Sequence, residues 1–201
     1  NITIGIVGLG YVGLPLALRF SEVGFNVIGY DKDEKKIIKL KKYKSYIKSI
    51  SNQELIKKNF IPTSNLKILS KSDAIIICLP TPLKRNSKVP DMIYIKNFAS
   101  SIKSFLRKNH IIILESTTYP GTTREFFLPV LKNSGLIPGK DVFLIYSPER
   151  EDPGNKKYRI KDIPKIVSGY SDNCKKIGNL IYGKVAKKTV EVKSLEHAEM
   201  V

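Results

Sequence analysis

Ile2-Thr3-Ile4-Gly5-Ile6-Val7-Gly8-Leu9-Gly10-Tyr11-Val12-Gly13-Leu14-Pro15-Leu16-Ala17 is the stretch that decides the fold. Ile2 to Val7 is a short β-branched run, suited to a strand buried on both faces. Gly8, Gly10 and Gly13 follow at the G-x-G-x-x-G spacing, and from Tyr11 the apolar residues recur with helical period. A strand, a tight turn and a helix N-terminus therefore follow one another. That order gathers bare backbone N–H groups and the positive end of a helix dipole at one point, where a pyrophosphate can sit. Gly8 is expected to allow the tight turn, Gly10 the close approach of phosphates, and Gly13 the packing of helix on strand. Together with Tyr11 and Val12 they are candidate cofactor-binding residues. A glycine triplet alone is a weak signal, because strand-to-helix turns use glycine for purely conformational reasons.

The residues that follow supply the second half of the fingerprint. Phe25 to Tyr30 reads as the next strand and ends at Asp31, close to the spacing at which an acid meets the adenosine ribose. A carboxylate there accepts hydrogen bonds from both ribose hydroxyls and repels a 2′-phosphate, so NAD is favoured over NADP. Lys32 and Lys36 offset part of that repulsion. Asp31 could instead be a solvated turn acid or a helix cap.

The 201 residues suffice for one well-buried domain or one domain and the start of another. At 42% hydrophobic and 26% charged, the composition is that of an ordinary soluble globular protein. No apolar run is long enough to cross a bilayer, and the apolar N-terminus lacks the basic leader of a signal peptide. Cys78 and Cys174 form neither a metal spacing nor a disulfide framework, so no metal is expected and a reducing cytoplasm is the natural setting. The net charge of +17 raises the question of nucleic acid. The lysines are spread along the chain, however, with one dense stretch from Lys32 to Lys48 in which Ile37, Ile38 and Leu40 mark an amphipathic helix. A solvated basic face that draws in anionic small molecules is the expectation, without nucleic acid or membrane insertion.

Further along, a helix is expected over about 33–43 and a short one over about 52–59, after which Pro62 breaks the chain. Leu66 to Leu69 reads as a third strand, Asp73 to Leu79 as a fourth, His110 to Glu115 as a fifth and Val142 to Tyr146 as a sixth. Ile163 to Ser168 and Lys188 to Val192 complete the set. Helices are expected over about 91–106, 122–133 and 171–184, and another begins at Ser194. The alternation implies an α/β fold: a doubly wound, mainly parallel sheet with right-handed crossovers and helices on both faces. Because the chain opens on Asn1 and closes early in a helix, both ends look cut from a longer protein.

Ligands of open α/β sheets bind at the carboxyl ends of the strands. Three such ends carry hydroxyls or charges: Thr81; Ser116 with Thr117 and Thr118; and Glu149 with Arg150, Glu151 and Asp152. Small hydroxyls there can bond a nicotinamide ribose without blocking hydride transfer. Glu149 could hold a water or act as a base, and Arg150 could bind an anionic or carbonyl-bearing group. Capping hydroxyls and a surface ion pair between Glu149 and Arg150 are the equally open alternatives. His110 and His197 read as structural or solvated, and Cys78 as a small core residue.

Gly8 to Ala17, with Pro80-Thr81-Pro82-Leu83, Glu115-Ser116-Thr117-Thr118-Tyr119-Pro120-Gly121-Thr122-Thr123 and Ser147-Pro148-Glu149-Arg150-Glu151-Asp152-Pro153-Gly154-Asn155, resembles the UDP-glucose/GDP-mannose dehydrogenase family. The four motifs occur in the family's order and span essentially the whole chain. The resemblance is strongest to the bacterial UDP-N-acetylglucosamine and UDP-N-acetylmannosamine 6-dehydrogenase branch. It implies a Rossmann-like NAD-binding domain over residues 1–193, the start of a central linker helix over 194–201, and a substrate domain beyond. It further implies a two-step oxidation of a UDP-sugar C6 alcohol to a carboxylate with two NAD, feeding surface polysaccharides, in an enzyme that is a homodimer or higher. Carried over by motif, Val12, Asp31, Lys36, Thr81 and Thr117 or Thr118 would touch NAD, Glu149 would do acid/base or water-activating work, and Arg150 to Asp152 would contact substrate. The UDP-glucose branch has a second glutamate where Pro153 stands. Family members also use a later cysteine nucleophile, and a lysine directly after a helix start like Ala198-Glu199-Met200-Val201. Neither Cys78 nor Cys174 matches that nucleophile, so this stretch alone is expected to bind NAD without completing the reaction. A β-hydroxyacid dehydrogenase of the 6-phosphogluconate type and a non-catalytic NAD sensor or scaffold are the other readings.

Overall fold

The computed structural model describes residues 2–56, 59–84, 87–150 and 162–201. Strands β1 (Thr3–Val7), β2 (Asn26–Tyr30), β3 (Phe60–Thr63), β4 (Ala74–Ile77), β5 (Ile111–Leu114), β6 (Phe143–Tyr146), β7 (Lys165–Gly169) and β8 (Thr189–Glu191) form one sheet in the order 3-2-1-4-5-6-7-8. Strand order reverses between β1 and β4, the switch point at which doubly wound sheets open a crevice.

Side chains alternate across the sheet with period two, and each face has its own core. Ile4, Ile6, Ala74, Ile76, Ile113 and Ile145 point to one face. There they meet Leu16 and Phe20 of α1 (Gly13–Glu22), Ile37 and Leu40 of α2 (Glu34–Lys41), and Ile181 and Tyr182 of α5 (Asp172–Tyr182). Val7, Ile75, Ile77, Ile112, Leu114 and Leu144 point to the other. They pack on Ile95 and Phe98 of α3 (Ile93–Ile102), Phe127 and Leu131 of α4 (Thr122–Asn133), and Leu195 and Ala198 of α6 (Leu195–Met200). Fully burying one such side chain stabilises the fold by roughly 1.5–3 kcal/mol, and both layers depend on the central strands.

Two departures from the sequence expectation have identifiable causes. The third strand is Phe60–Thr63, not Leu66 to Leu69, and it contains Pro62. Proline lacks a ladder donor, but β3 lies at the edge of the sheet, where that is tolerated. Leu66–Lys71 is instead a 3-10 helix, started by Asn65, whose side chain accepts the Lys67 N–H. The short helix expected over 52–59 is a 3-10 turn over Gln53–Leu55. As a mainly parallel sheet allows, β7 runs antiparallel to β6, with Tyr146 opposite Ser168. That reversal carries the start of β7 to the edge where β1, β4, β5 and β6 end.

Candidate functional site

Val7, Tyr30, Ile77, Leu114 and Tyr146 lie in one row across the sheet, and each strand breaks into a loop just beyond it. Gly8 has φ +89, the left-handed conformation its turn needs. A Cβ on Gly13 would sit 1.9 Å from the Gly8 carbonyl oxygen, so only glycine lets α1 start directly on the loop. A Cβ on Gly10 would meet nothing within 4 Å. The first turn of α1 carries no side-chain cap, which leaves its positive end facing that space.

Asp31 is buried against this loop. Its Oδ2 accepts the Leu9 N–H at 2.9 Å and the Lys36 ammonium at 3.0 Å, and its Oδ1 accepts the Asp33 N–H at 2.9 Å. An ionised carboxylate has about four acceptor sites, so three donors leave capacity for a ribose hydroxyl. The cap of α2 is Asp33, not Asp31, which disposes of the capping alternative. Tyr46 donates to the Leu9 carbonyl at 2.6 Å, a brace on the loop that nothing in the sequence pattern signalled. Burial, with Asp31 and Asp33 adding to it, pushes the Tyr46 phenol up and keeps it a donor. A glycine cradle without a cap, beside an anchored acid, fits a dinucleotide.

Beyond β5 and β6 a cleft of about 130 Å³ is lined by Thr117, Thr118, Tyr146, Glu149 and Arg150, with Glu199 and Met200 of α6 closing one side. Thr117 is exposed and Thr118 half-buried. Ser116 is turned away: its hydroxyl donates to the Leu79 carbonyl at 2.7 Å, tying the ends of β4 and β5 together. Thr81 is half-buried just past β4, outside the cleft lining, as is the glycine loop. Glu151 and Asp152 lie outside the described residues. Arg150 meets Glu149 through its backbone, the Arg150 N–H donating to Glu149 Oε1 at 2.7 Å.

The remaining Glu149 oxygen leads inward. Lys165 Nζ donates to Glu149 Oε2 at 2.9 Å and to Glu115 Oε2 at 2.8 Å, and the Tyr182 hydroxyl donates to Glu115 Oε1 at 2.5 Å. Burial pushes the Glu115 carboxyl up to about 7, with the Glu149 charge adding to it and Lys165 opposing. Burial works against the Lys165 ammonium, but the two carboxylates outweigh it and hold its proton well above the usual lysine range. No motif in the sequence marks Lys165 or Tyr182, and it is the antiparallel run of β7 against β6 that brings the lysine here.

The docking of α6 was also unforeseen. Glu199 accepts the Gly121 and Thr123 N–H groups and the Thr123 hydroxyl, so a buried carboxylate caps α4 from another helix. Arg124 pairs with Glu196 alongside.

Comparison with known proteins matches residues 2–186 to the NAD binding domain of the UDP-glucose/GDP-mannose dehydrogenase family. The chain is 38% identical to Protein CapL of Staphylococcus aureus, covering all of this chain and 48% of that protein. It is 35% identical to the UDP-N-acetyl-D-glucosamine 6-dehydrogenase of Pseudomonas aeruginosa, covering all of this chain and 49% of that protein. The solved UDP-D-ManNAc dehydrogenase of Pyrococcus horikoshii superposes with a TM-score of 0.91 at 28% identity, over 99% of this chain and 48% of that one. The chain thus spans about half the length of the curated relatives it matches.

Proposed function

Because the chain belongs to the UDP-glucose/GDP-mannose dehydrogenase family through its NAD-binding domain, we propose that it is the cofactor-binding half of a UDP-N-acetylhexosamine 6-dehydrogenase. The carrying observation is the convergence on one sheet edge of the glycine cradle, the anchored Asp31 and the Glu149 cleft. In this reading residues 1–193 are the NAD domain, 194–201 begin the linker helix, and a substrate domain follows. The whole protein is a cytoplasmic homodimer or higher assembly that supplies uronates for surface polysaccharides. Among the described residues no helix is long and apolar enough to cross a membrane.

Gly10, Tyr11, Val12 and the start of α1 hold the pyrophosphate, and Asp31 holds the adenosine ribose while excluding a 2′-phosphate. Lys36 keeps that carboxylate oriented through its 3.0 Å pair. Thr81, Thr117 and Thr118 offer hydroxyls to the nicotinamide ribose. When bound, NAD supplies the hydride acceptor for each of the two oxidations of C6. Glu149 takes the proton that the alcohol must lose as hydride departs, or holds the water that adds at the second oxidation. Arg150, with Glu151 and Asp152 after it, engages the nucleotide sugar.

The thioester route of the family needs a thiolate. Cys78 is buried in the core at the end of β4, with its thiol pushed well up first by burial and then by Glu115, so it cannot serve. The expected result is NADH production by the full-length protein from UDP-N-acetylglucosamine or UDP-N-acetylmannosamine in preference to UDP-glucose, and none by residues 1–201 alone. Full-length protein that leaves all three sugars unoxidised would sink the reading.

A further inference from the structure

Glu115, Lys165 and Glu149 form a buried ionic chain whose two ends have different surroundings. Glu115 is the inner end: its side chain is fully buried and is gripped by Tyr182 from α5. Glu149 is the outer end, 10% exposed, in the wall of the cleft. Lys165 lies between them, 6% exposed, with one donor on each carboxylate and its ammonium 5.3 Å from the centre of the Tyr182 ring.

A chain of this kind is a poor device for stability alone. Desolvating three charges is costly, and apolar packing of the same volume usually serves as well or better. Lys165 instead bonds one carboxylate deep in the core and a second in the cleft wall. The arrangement makes sense if the inner carboxylate anchors the lysine and the outer one works. The tie to Lys165 on one oxygen and to the Arg150 N–H on the other also fixes the plane of the Glu149 carboxylate. Precise placement of a reacting group is what a rigid support contributes to catalysis.

We propose that Lys165 is the positioning residue of this site, holding Glu149 in orientation and in its ionised form, with Glu115 and Tyr182 as the anchor behind it. The inference rests on the reading of Glu149 as the acid/base group. Among the described residues, the charged or titratable groups facing the chain are Tyr182 from α5, the Cys78 thiol past β4, Arg150 beside Glu149, and Glu199 from α6 across the cleft. Removing the lysine takes a cation from beside Glu149 and makes its proton harder to lose. Glu115, its carboxyl raised to about 7, is already largely protonated on the acid side of neutrality, so replacing it by glutamine alters the ease of that loss far less. The two changes therefore differ in size on the acid limb.

The test is the pH dependence of kcat/KM for the full-length enzyme and its Lys165→Met, Lys165→Arg, Glu115→Gln and Glu149→Gln variants, with NAD titration of each as the measure of folding. Lys165→Met is expected to keep NAD affinity, to lower kcat by about 10- to 100-fold with little change in the KM of the nucleotide sugar, and to move the acid limb upward. Lys165→Arg is expected to recover part of the rate with the acid limb near its wild-type place, and Glu115→Gln to move the limb far less than Lys165→Met does. Should Lys165→Met fail to bind NAD, Lys165→Gln, which keeps a donor without the charge, takes its place. An acid limb that stays in place when the lysine charge is removed, or that moves as far in Glu115→Gln, overturns the role of Lys165. Wild-type kcat in Glu149→Gln would instead remove the reading of Glu149 on which the inference stands.

Discussion

At the scale of single residues, the turn at Gly8 and the packing at Gly13 were legible, as was the placing of Asp31 beside that loop. Gly13 could be assigned a packing role from spacing alone because no side chain fits between a helix start and the carbonyl of Gly8. His110 was legible only as structural. It is completely buried at the opposite edge of the sheet from the cleft, accepting the Arg107 N–H, and burial aided by Arg107 brings its imidazole down from 6.5 to about 4. The unfolded chain therefore binds a proton that the folded one refuses, and folding stability falls as pH drops from 6.5 towards 4. Glu115 has the opposite sign: its raised carboxyl contributes stability that declines as pH rises from 4.5 to about 7. Replacing His110 by Asn keeps an acceptor and removes the titration. The variant is expected to lose about 2 kcal/mol less than wild type between pH 6.5 and 4. Thermal melts across that window check it, and parallel curves would show that His110 is not the titrating group.

At the scale of elements, hydrophobic period located the central strands because they are buried on both faces and short. It could not say which way a strand runs, and that limit hid Lys165. It also misread Leu66 to Leu69, whose apolar residues sit at helical spacing under an Asn65 cap, and passed over β3, which an edge position allows to contain Pro62. The attachment of α6 was equally invisible, since it depends on Glu199 reaching bare N–H groups on a distant helix. Glu199→Ala leaves those donors buried and is expected to cost about 2–3 kcal/mol. Hydrogen exchange should show faster exchange in α6 and the first turn of α4. Unchanged protection in both elements would mean that Leu195 and Ala198 hold α6 by packing alone.

For the molecule as a whole, the sheet order turns a scatter of motifs into a single edge. The sequence motifs named most of that edge in advance, from the glycine loop to Glu149, while the supports behind it came from topology. The net charge of +17 gives the chain an overall positive field that favours anionic ligands such as NAD. NAD affinity is accordingly expected to weaken as salt is raised from about 0.01 M to 0.15 M, where the Debye length shrinks from about 30 to 8 Å. Salt-independent affinity would assign the lysines to solubility alone. The most direct test of the central claim, that the cradle past β1 and the acid after β2 hold the dinucleotide, is calorimetric titration of NAD and NADP into wild-type protein and Asp31→Ala. The account predicts that wild type binds NAD more tightly than NADP and that Asp31→Ala weakens NAD and narrows or reverses the preference; equal binding of the two by wild type, or an Asp31→Ala protein that binds NAD unchanged, would contradict it.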